Sequence, residues 1–356
     1  MIKYLGSKRL LVGVLGDIAE AVEARTALDL FTGTTRVAQE LKRRGLFVSA
    51  ADVASYSEVF AQCYIGTDAE DVDAEELRLA VKELNALPGR AGYVTETFCE
   101  RSRYFQPHNG RRIDAIRSAL DGELADSPLR PVLLTALLDA ADRVDSTTGL
   151  QMAYLKSWSP RSYDDLELRV PELLPGSGRA INGDARDVVR SHSPVDLAYL
   201  DPPYNQHRYF TNYHVWETLV RWDAPEHYGI ACKRLDARDE ATKSVFNRKR
   251  EMPAALAALI AAVQAQVVVV SYNDESWVTP EQMTAWLRDA GHEAVGLLAF
   301  DAKRYVGAQI GVYNPAGKRV GTPKRLRNQE LLFVAGPAEQ VAAACRPTAA
   351  HASGQR

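Results

Sequence analysis

The chain has little cysteine, and no spacing that would pair it. Cys63, Cys99, Cys232 and Cys345 lie too far apart in 356 residues for a zinc-binding pair or a disulfide framework. That pattern is expected of free thiols in a reducing compartment. No apolar run approaches the ~18 residues of a membrane span. The apolar stretch "LLVGVLG" (10–16) is short and gives way at once to Asp17 and Glu20, so it is not read as a secretory signal. A cytoplasmic protein off the membrane is expected. A strong charge of one sign is also missing. Lys and Arg number 43 against 46 Asp and Glu, for a net −3, so nothing global announces a polyanionic partner. Internal repeats are absent. The three-glycine loop that cradles phosphates is not completed either, because Thr34 and Thr35 stand in its later positions.

What remains is an ordinary globular composition, 46% hydrophobic and 25% charged, long enough for about two domains. "TALDLF" (26–31) reads as a strand, "TGTTRVAQELKRRG" (32–45) as a turn opening a helix, and "LFVSAAD" (46–52) as a second strand. This strand–helix–strand unit is the signature of a parallel α/β sheet. Further strands are read at 179–184, 195–201 and 266–274. The last two are continuous apolar runs, as expected of strands buried on both faces. Residues 254–263 between them read as a helix. Residues 292–300 and 329–336 are expected to pair antiparallel at the sheet end. Residues 61–178 show helical periods at 68–87 and 128–145 and no strand alternation, and they are read as a helical insertion. The expected division is a sheet domain of residues 1–60 and 179–336, the insertion 61–178, and a flexible tail 337–356.

Three acidic residues close predicted strands. Asp29 and Phe31 stand ahead of Gly33 at the carboxyl end of the first strand, where open α/β sheets bind ligands. A plain tight turn explains this motif equally well. Asp52 closes the second strand, about 20 residues past the glycine turn, a place suited to a ribose diol. Asp184 in "INGDARD" closes another strand, or caps the helix that follows. "YLDPPYN" (199–205) is more pointed. Asp201 ends a buried strand, and Pro202 and Pro203 remove two N–H donors while leaving carbonyl acceptors. Tyr204 adds a ring for stacking. The cluster suits an exocyclic amine on an aromatic ring, which an enzyme that modifies a base must extract from the duplex.

These residues resemble the D12 class of S-adenosylmethionine-dependent DNA adenine-N6 methyltransferases. "KYLGSKRLL" (3–11) is similar to the family's first cofactor motif, "DLFTGTTRVA" (29–38) to its methionine-binding motif and "YLDPPYN" to its catalytic motif. "RYFQPHNGRRIDAIR" (103–117) is similar to the inserted region of members from type IIS restriction–modification systems. The resemblance implies a Rossmann-like sheet of seven strands, the last antiparallel, with the insertion recognising the target. It implies that Tyr4, Gly6, Ser7 and Lys8 help hold the cofactor. Asp29, Phe31, Gly33 and Thr34 would surround its methionine part, Asp52 would take the ribose and Asp184 the adenine end. Asp201, Pro202, Pro203 and Tyr204 would hold the target adenine, with no metal. Thr35 departs from the family, many of whose members carry a second glycine there.

Basic stretches supply the expected grip on double-stranded DNA. Arg101, Arg103, Arg111 and Arg112 lie in the insertion beside Tyr104 and Phe105. Arg248, Lys249 and Arg250 follow the catalytic motif, and Lys324 and Arg325 lie near the end. Solvated surface is the plainer explanation of any one stretch. Tyr209, Phe210 and Trp216 are candidates for contact with a flipped base, although large apolar residues more often belong to the core. No nuclease constellation is present, so a cognate endonuclease would be a separate protein. Cytosine N4, RNA, and a catalytically silent DNA-binding subunit are the alternative readings.

Overall fold

The computed structural model describes residues 8, 10–203, 208–274, 276–303, 312–313, 319–321 and 327–346. Seven strands form one sheet. Numbered in chain order they are β1 (Thr26–Asp29), β2 (Phe47–Asp52), β3 (Gly178–Asn182), β4 (Val195–Leu200), β5 (Ala265–Asn273), β6 (Ala294–Lys303) and β7 (Arg327–Gly336). Their order across the sheet is β3-β2-β1-β4-β5-β7-β6. The pairs β1–β4, β4–β5 and β2–β3 are parallel, whereas β7 runs antiparallel to both β5 and β6. The expected α/β sheet with an antiparallel last strand is therefore present. Among the described residues, no helix is long and apolar enough to cross a membrane.

The chain divides into two compact units that cut it differently from the expected three parts. The described residues of one fall within 8–31, 185–203 and 245–346, and they hold β1, β4, β5, β6 and β7. Here burial on both faces dictates the strands. Val267, Val268, Val269 and Val270 are consecutive, β-branched and wholly buried. Each contributes about 1.5–3 kcal/mol relative to exposure. Parallel alignment sets Asp29 opposite Tyr199 and Leu200 opposite Val270. Antiparallel pairing of β7 sets Glu330 opposite Asn273. Acid and amide ends of four strands are thereby gathered along one edge. The tail read as flexible from residue 337 instead continues into a helix, Ala338–Ala344, with Val341 and Ala344 buried. Two apolar residues a turn apart give it a face to bury.

The second unit comprises residues 32–184 and 208–244 in its described part. Among the described residues of 61–177 there is no strand. Helices α3 (Ser55–Ala61), α4 (Ala74–Ala86), α5 (Pro107–Asp121) and α6 (Arg130–Val144) share one apolar core with α9 (His214–Arg221), built on Tyr56, Phe98, Tyr104, Phe105 and Trp216. Both ends of α9 are held by other segments. Gln151 Oε1 accepts from the backbone N–H of Val215 at 3.1 Å and of Trp216 at 3.3 Å. At the far end the buried guanidinium of Arg117 donates to the carbonyls of Leu219 at 2.7 Å and Val220 at 3.1 Å. The groups a helix end leaves unsatisfied are thus met by side chains.

Candidate active site

The turn after β1 is the first element of the site. Gly33 has φ +52°, and Thr35 follows at φ +61°. A β-branched residue in the left-handed region costs about 1–3 kcal/mol, so other contacts must hold it. Thr35 is fully buried. Its hydroxyl donates to the Thr34 carbonyl at 2.7 Å and accepts from Gln39 Nε2 at 2.8 Å. The position where the family often carries a second glycine therefore keeps the backbone conformation a glycine would favour. The Gly33 N–H donates to Asp52 Oδ2 at 3.0 Å, and the Ala54 N–H to Oδ1 at 3.0 Å. Burial pushes the Asp52 carboxyl above its usual range, while these N–H donors pull it back and Glu217 adds a push upward.

Glu217 was not anticipated from sequence. It sits on α9 and is wholly buried. Its Oε1 pairs with Arg221 at 2.8 Å, and its Oε2 takes no hydrogen bond among the described residues. A single acid within an amphipathic helix gives no sequence signal of such burial. Asp184 is half-buried and directly precedes the helix α7 (Ala185–Ser191).

In the other unit, Asp29 is 1% exposed at the end of β1. Phe31 packs edge-on against Phe246 with ring centroids 5.2 Å apart. Asp201 leaves the end of β4 two residues after Tyr199, the partner of Asp29 in register. Lys8 Nζ lies 3.2 Å from Asp201 Oδ1 and 2.9 Å from Glu330 Oε2. The hydrogen bond goes to Glu330. Asp201 Oδ1 is buried against the Lys8 ammonium. Burial pushes the Asp201 carboxyl up to about 6, with Lys8 lowering it and Glu330 raising it. Glu330 was also missed, since 322 positions separate it from Lys8. Asp29, Asp201 and Lys8 are thus brought to one edge of one unit, while Asp52 and Gly33 are joined within the other.

Residues 4–286 match the family of D12 class N6 adenine-specific DNA methyltransferases. The chain belongs to that family. It is 29% identical over 308 residues to the modification methylase StsI of Streptococcus sanguinis, a match covering 81% of this chain and 46% of that protein. It is 28% identical over 313 residues to the type II methyltransferase M.FokI of Planomicrobium okeanokoites, covering 81% and 47%. To M.NlaIII of Neisseria lactamica it is 29% identical over 295 residues, covering 79% and 86%. The chain spans about half the length of the first two relatives and most of the third.

Tyr4, Gly6, Ser7 and Tyr204, which the D12 resemblance singles out, and Lys324 and Arg325 of the last basic stretch lie outside the described residues. Pro202 is buried and Pro203 half-buried. Among the basic residues, Arg111, Lys249 and Arg250 are exposed. Arg101 pairs with Glu96, and Arg248 lies 3.2 Å from Glu251. Arg103 donates to the Lys156 carbonyl at 2.7 Å and lies over the Trp158 ring. Arg112 is committed inward, donating to the carbonyls of Leu166 at 3.0 Å and Asn85 at 2.9 Å. Trp216 is buried and stacked on Tyr213 with centroids 4.7 Å apart, so the core explanation holds for it. Phe210 lies under the guanidinium groups of Arg221 and Arg234, at 5.3 and 5.9 Å.

Proposed function

We propose that the chain transfers a methyl group from S-adenosylmethionine to N6 of adenine at a specific site in double-stranded DNA, as the modification half of a restriction–modification system in the cytoplasm. A cognate endonuclease would be a separate protein. The observation that carries the reading is Asp201, a carboxylate at the end of β4 that pairs with the Lys8 ammonium through Oδ1 and keeps part of its side chain exposed. Family membership supports the choice of adenine.

The donor set fits the cofactor. Asp52, fixed by two N–H groups, retains lone pairs for a diol. The left-handed turn at Gly33 brings backbone close to a ligand. Asp29, Phe31 and Thr34 would border the methionine part, Asp184 the adenine end, with Lys8 and the segment before it alongside. When bound, the cofactor supplies an electrophilic methyl group. The N6 lone pair is conjugated into the adenine ring and is a poor nucleophile. Asp201 and the Pro202 carbonyl accept the two N–H bonds, favouring a more tetrahedral nitrogen, and proximity does the rest. Exposed Arg111, Lys249 and Arg250 contribute to phosphate contacts, and the helical insertion contributes to recognition of the site.

The test is transfer of label from labelled S-adenosylmethionine to unmethylated DNA, with Asp201→Ala alongside and nucleosides separated after digestion. Label in N6-methyladenine that disappears in the variant is expected. Label in N4-methylcytosine would overturn the base assignment, and no label in DNA despite cofactor binding would overturn the substrate.

A further inference from the structure

Ser55 opens α3 and is gripped from α9 in two ways. Its backbone N–H donates to Glu217 Oε1 at 3.4 Å, and its hydroxyl accepts from Arg221 Nε at 3.2 Å. Glu217 and Arg221 stand one turn apart on α9 and pair with each other at 2.8 Å. Arg221 also faces Asp236 at 3.5 Å. The residue before Ser55 is Ala54, whose N–H donates to Asp52 Oδ1 at 3.0 Å. Two consecutive N–H groups at the head of α3 therefore go to two acids, one closing β2 and one on α9. Glu217 stands near enough to Asp52 to push its carboxyl upward. All of these residues belong to the second unit.

The helix neighbours of Glu217, namely Val215, Trp216 and Leu219, are buried in the apolar core, and Glu217 is buried with them. A buried ion pair is often no more stabilising than apolar side chains of similar volume. The acid is thus better accounted for by what it holds than by stability. We propose, on the reading of Asp52 as the ribose acid, that Glu217 is a positioning residue for Asp52. By fixing Ser55 it sets the direction of the Ala54 N–H, and with it the orientation in which the Asp52 carboxylate meets the cofactor. A carboxylate held by one N–H can turn about its side-chain bonds. Held by two, from Gly33 and from Ala54, it keeps one orientation. The acid that binds cofactor is in this way set from α9, on the stretch that follows the catalytic motif in sequence.

Two measurements test this. Amide hydrogen exchange in the full chain without cofactor reads the hold on the head of α3. Isothermal titration with S-adenosylmethionine reads its consequence. Glu217→Ala is expected to speed exchange at Ala54 and Ser55 by about tenfold. It is expected to raise Kd for the cofactor by about tenfold as well, the worth of one hydrogen bond to a charged group, with the loss in KM for the cofactor rather than in kcat. Glu217→Gln keeps an acceptor for the Ser55 N–H and is expected to restore both readouts toward wild type, which a packing role alone would not separate from Glu217→Ala. In the Asp52→Ala background, Glu217→Ala should raise Kd less, because the path through the carboxylate is gone. Should Glu217→Ala fail to fold, Glu217→Asp, one methylene shorter, is expected to move both readouts the same way by less. Unchanged exchange at Ala54, an unchanged Kd, or an equal rise in Kd with Asp52 replaced would overturn the proposal. If Asp52→Ala alone left cofactor affinity untouched, the reading of Asp52 would fall instead, and exchange at Ala54 would still judge the hold of Glu217.

Discussion

The backbone N–H of Gly33 donates to Asp52 Oδ2 over 3.0 Å, so the glycine turn is pinned to the carboxylate that ends β2. One side chain thereby ties the turn after β1 to the start of the segment after β2.

Asp52→Ala is expected to weaken S-adenosylmethionine binding by ten- to a hundredfold, the loss of a charged hydrogen-bonding partner of about 1.5–3 kcal/mol. Asp52→Asn keeps one acceptor and should lose less. Isothermal titration of both variants with the cofactor checks this. Equal affinity in Asp52→Ala and wild type would remove Asp52 from the site.

Asp201→Asn is nearly isosteric but replaces one acceptor oxygen by a donor. Turnover is expected to fall by on the order of a hundredfold or more, with cofactor affinity changed little. Single-turnover kinetics with N6-methyladenine quantified is the measurement. Retention of more than a tenth of the rate would contradict the assigned contact.

Arg111 and Arg112 are neighbours with different fates. Arg111→Ala should leave the unfolding temperature unchanged, weaken DNA binding and reduce its salt dependence by about one phosphate contact. Arg112→Ala removes two bonds to half-buried carbonyls and should cost about 1–3 kcal/mol of stability. Thermal unfolding and filter binding across a salt series separate the two.

Stability in acid should follow His214. Its Nε2–H donates to the Gln151 carbonyl at 2.9 Å, the ring is fully buried, and burial holds its pKa down at about 3 against the ordinary 6.5. The unfolded chain takes up a proton first, so stability is lost as pH falls from 6.5 toward 3, with a ceiling on the order of 3–5 kcal/mol. Asp201 opposes part of this. Its folded value of about 6 lies above the ordinary 3.8, so the folded chain gains the proton first between those limits. Urea unfolding between pH 4.5 and 7.5 is expected to show declining stability on acidification, and His214→Gln should flatten the slope.

Much of this fold was legible where a local pattern and the long-range packing agree. The apolar run that begins at 195 stops before Asp201, as the strand does at Leu200, and residues 26–52 fold as β1, helix Arg36–Arg43 and β2. The segment 99–120 was not legible, because its asparagine and glycine read as turn residues. They lie inside α5 for packing reasons. A Cβ on Gly110 would stand 2.2 Å from Cys99 Sγ. Asn109 is buried, donating to the carbonyls of Ser162 and Asp164 and accepting from the Leu166 N–H. The helix Pro280–Asp289 carries its start in Thr279 and Gln282, a reciprocal capping box that went unread. Glu330 and Glu217 gave no signal, since their meaning lies in partners supplied by distant strands and helices.

The seating of β7 between β5 and β6 has a consequence for how the molecule is made. While the chain emerges from the ribosome, β5 must wait with a bare edge until β7 arrives, and such edges invite pairing with other chains. Glu330, which accepts the hydrogen bond of Lys8, is synthesised 322 positions after it. The arrangement of charge at Asp201 is therefore among the last features a nascent chain acquires.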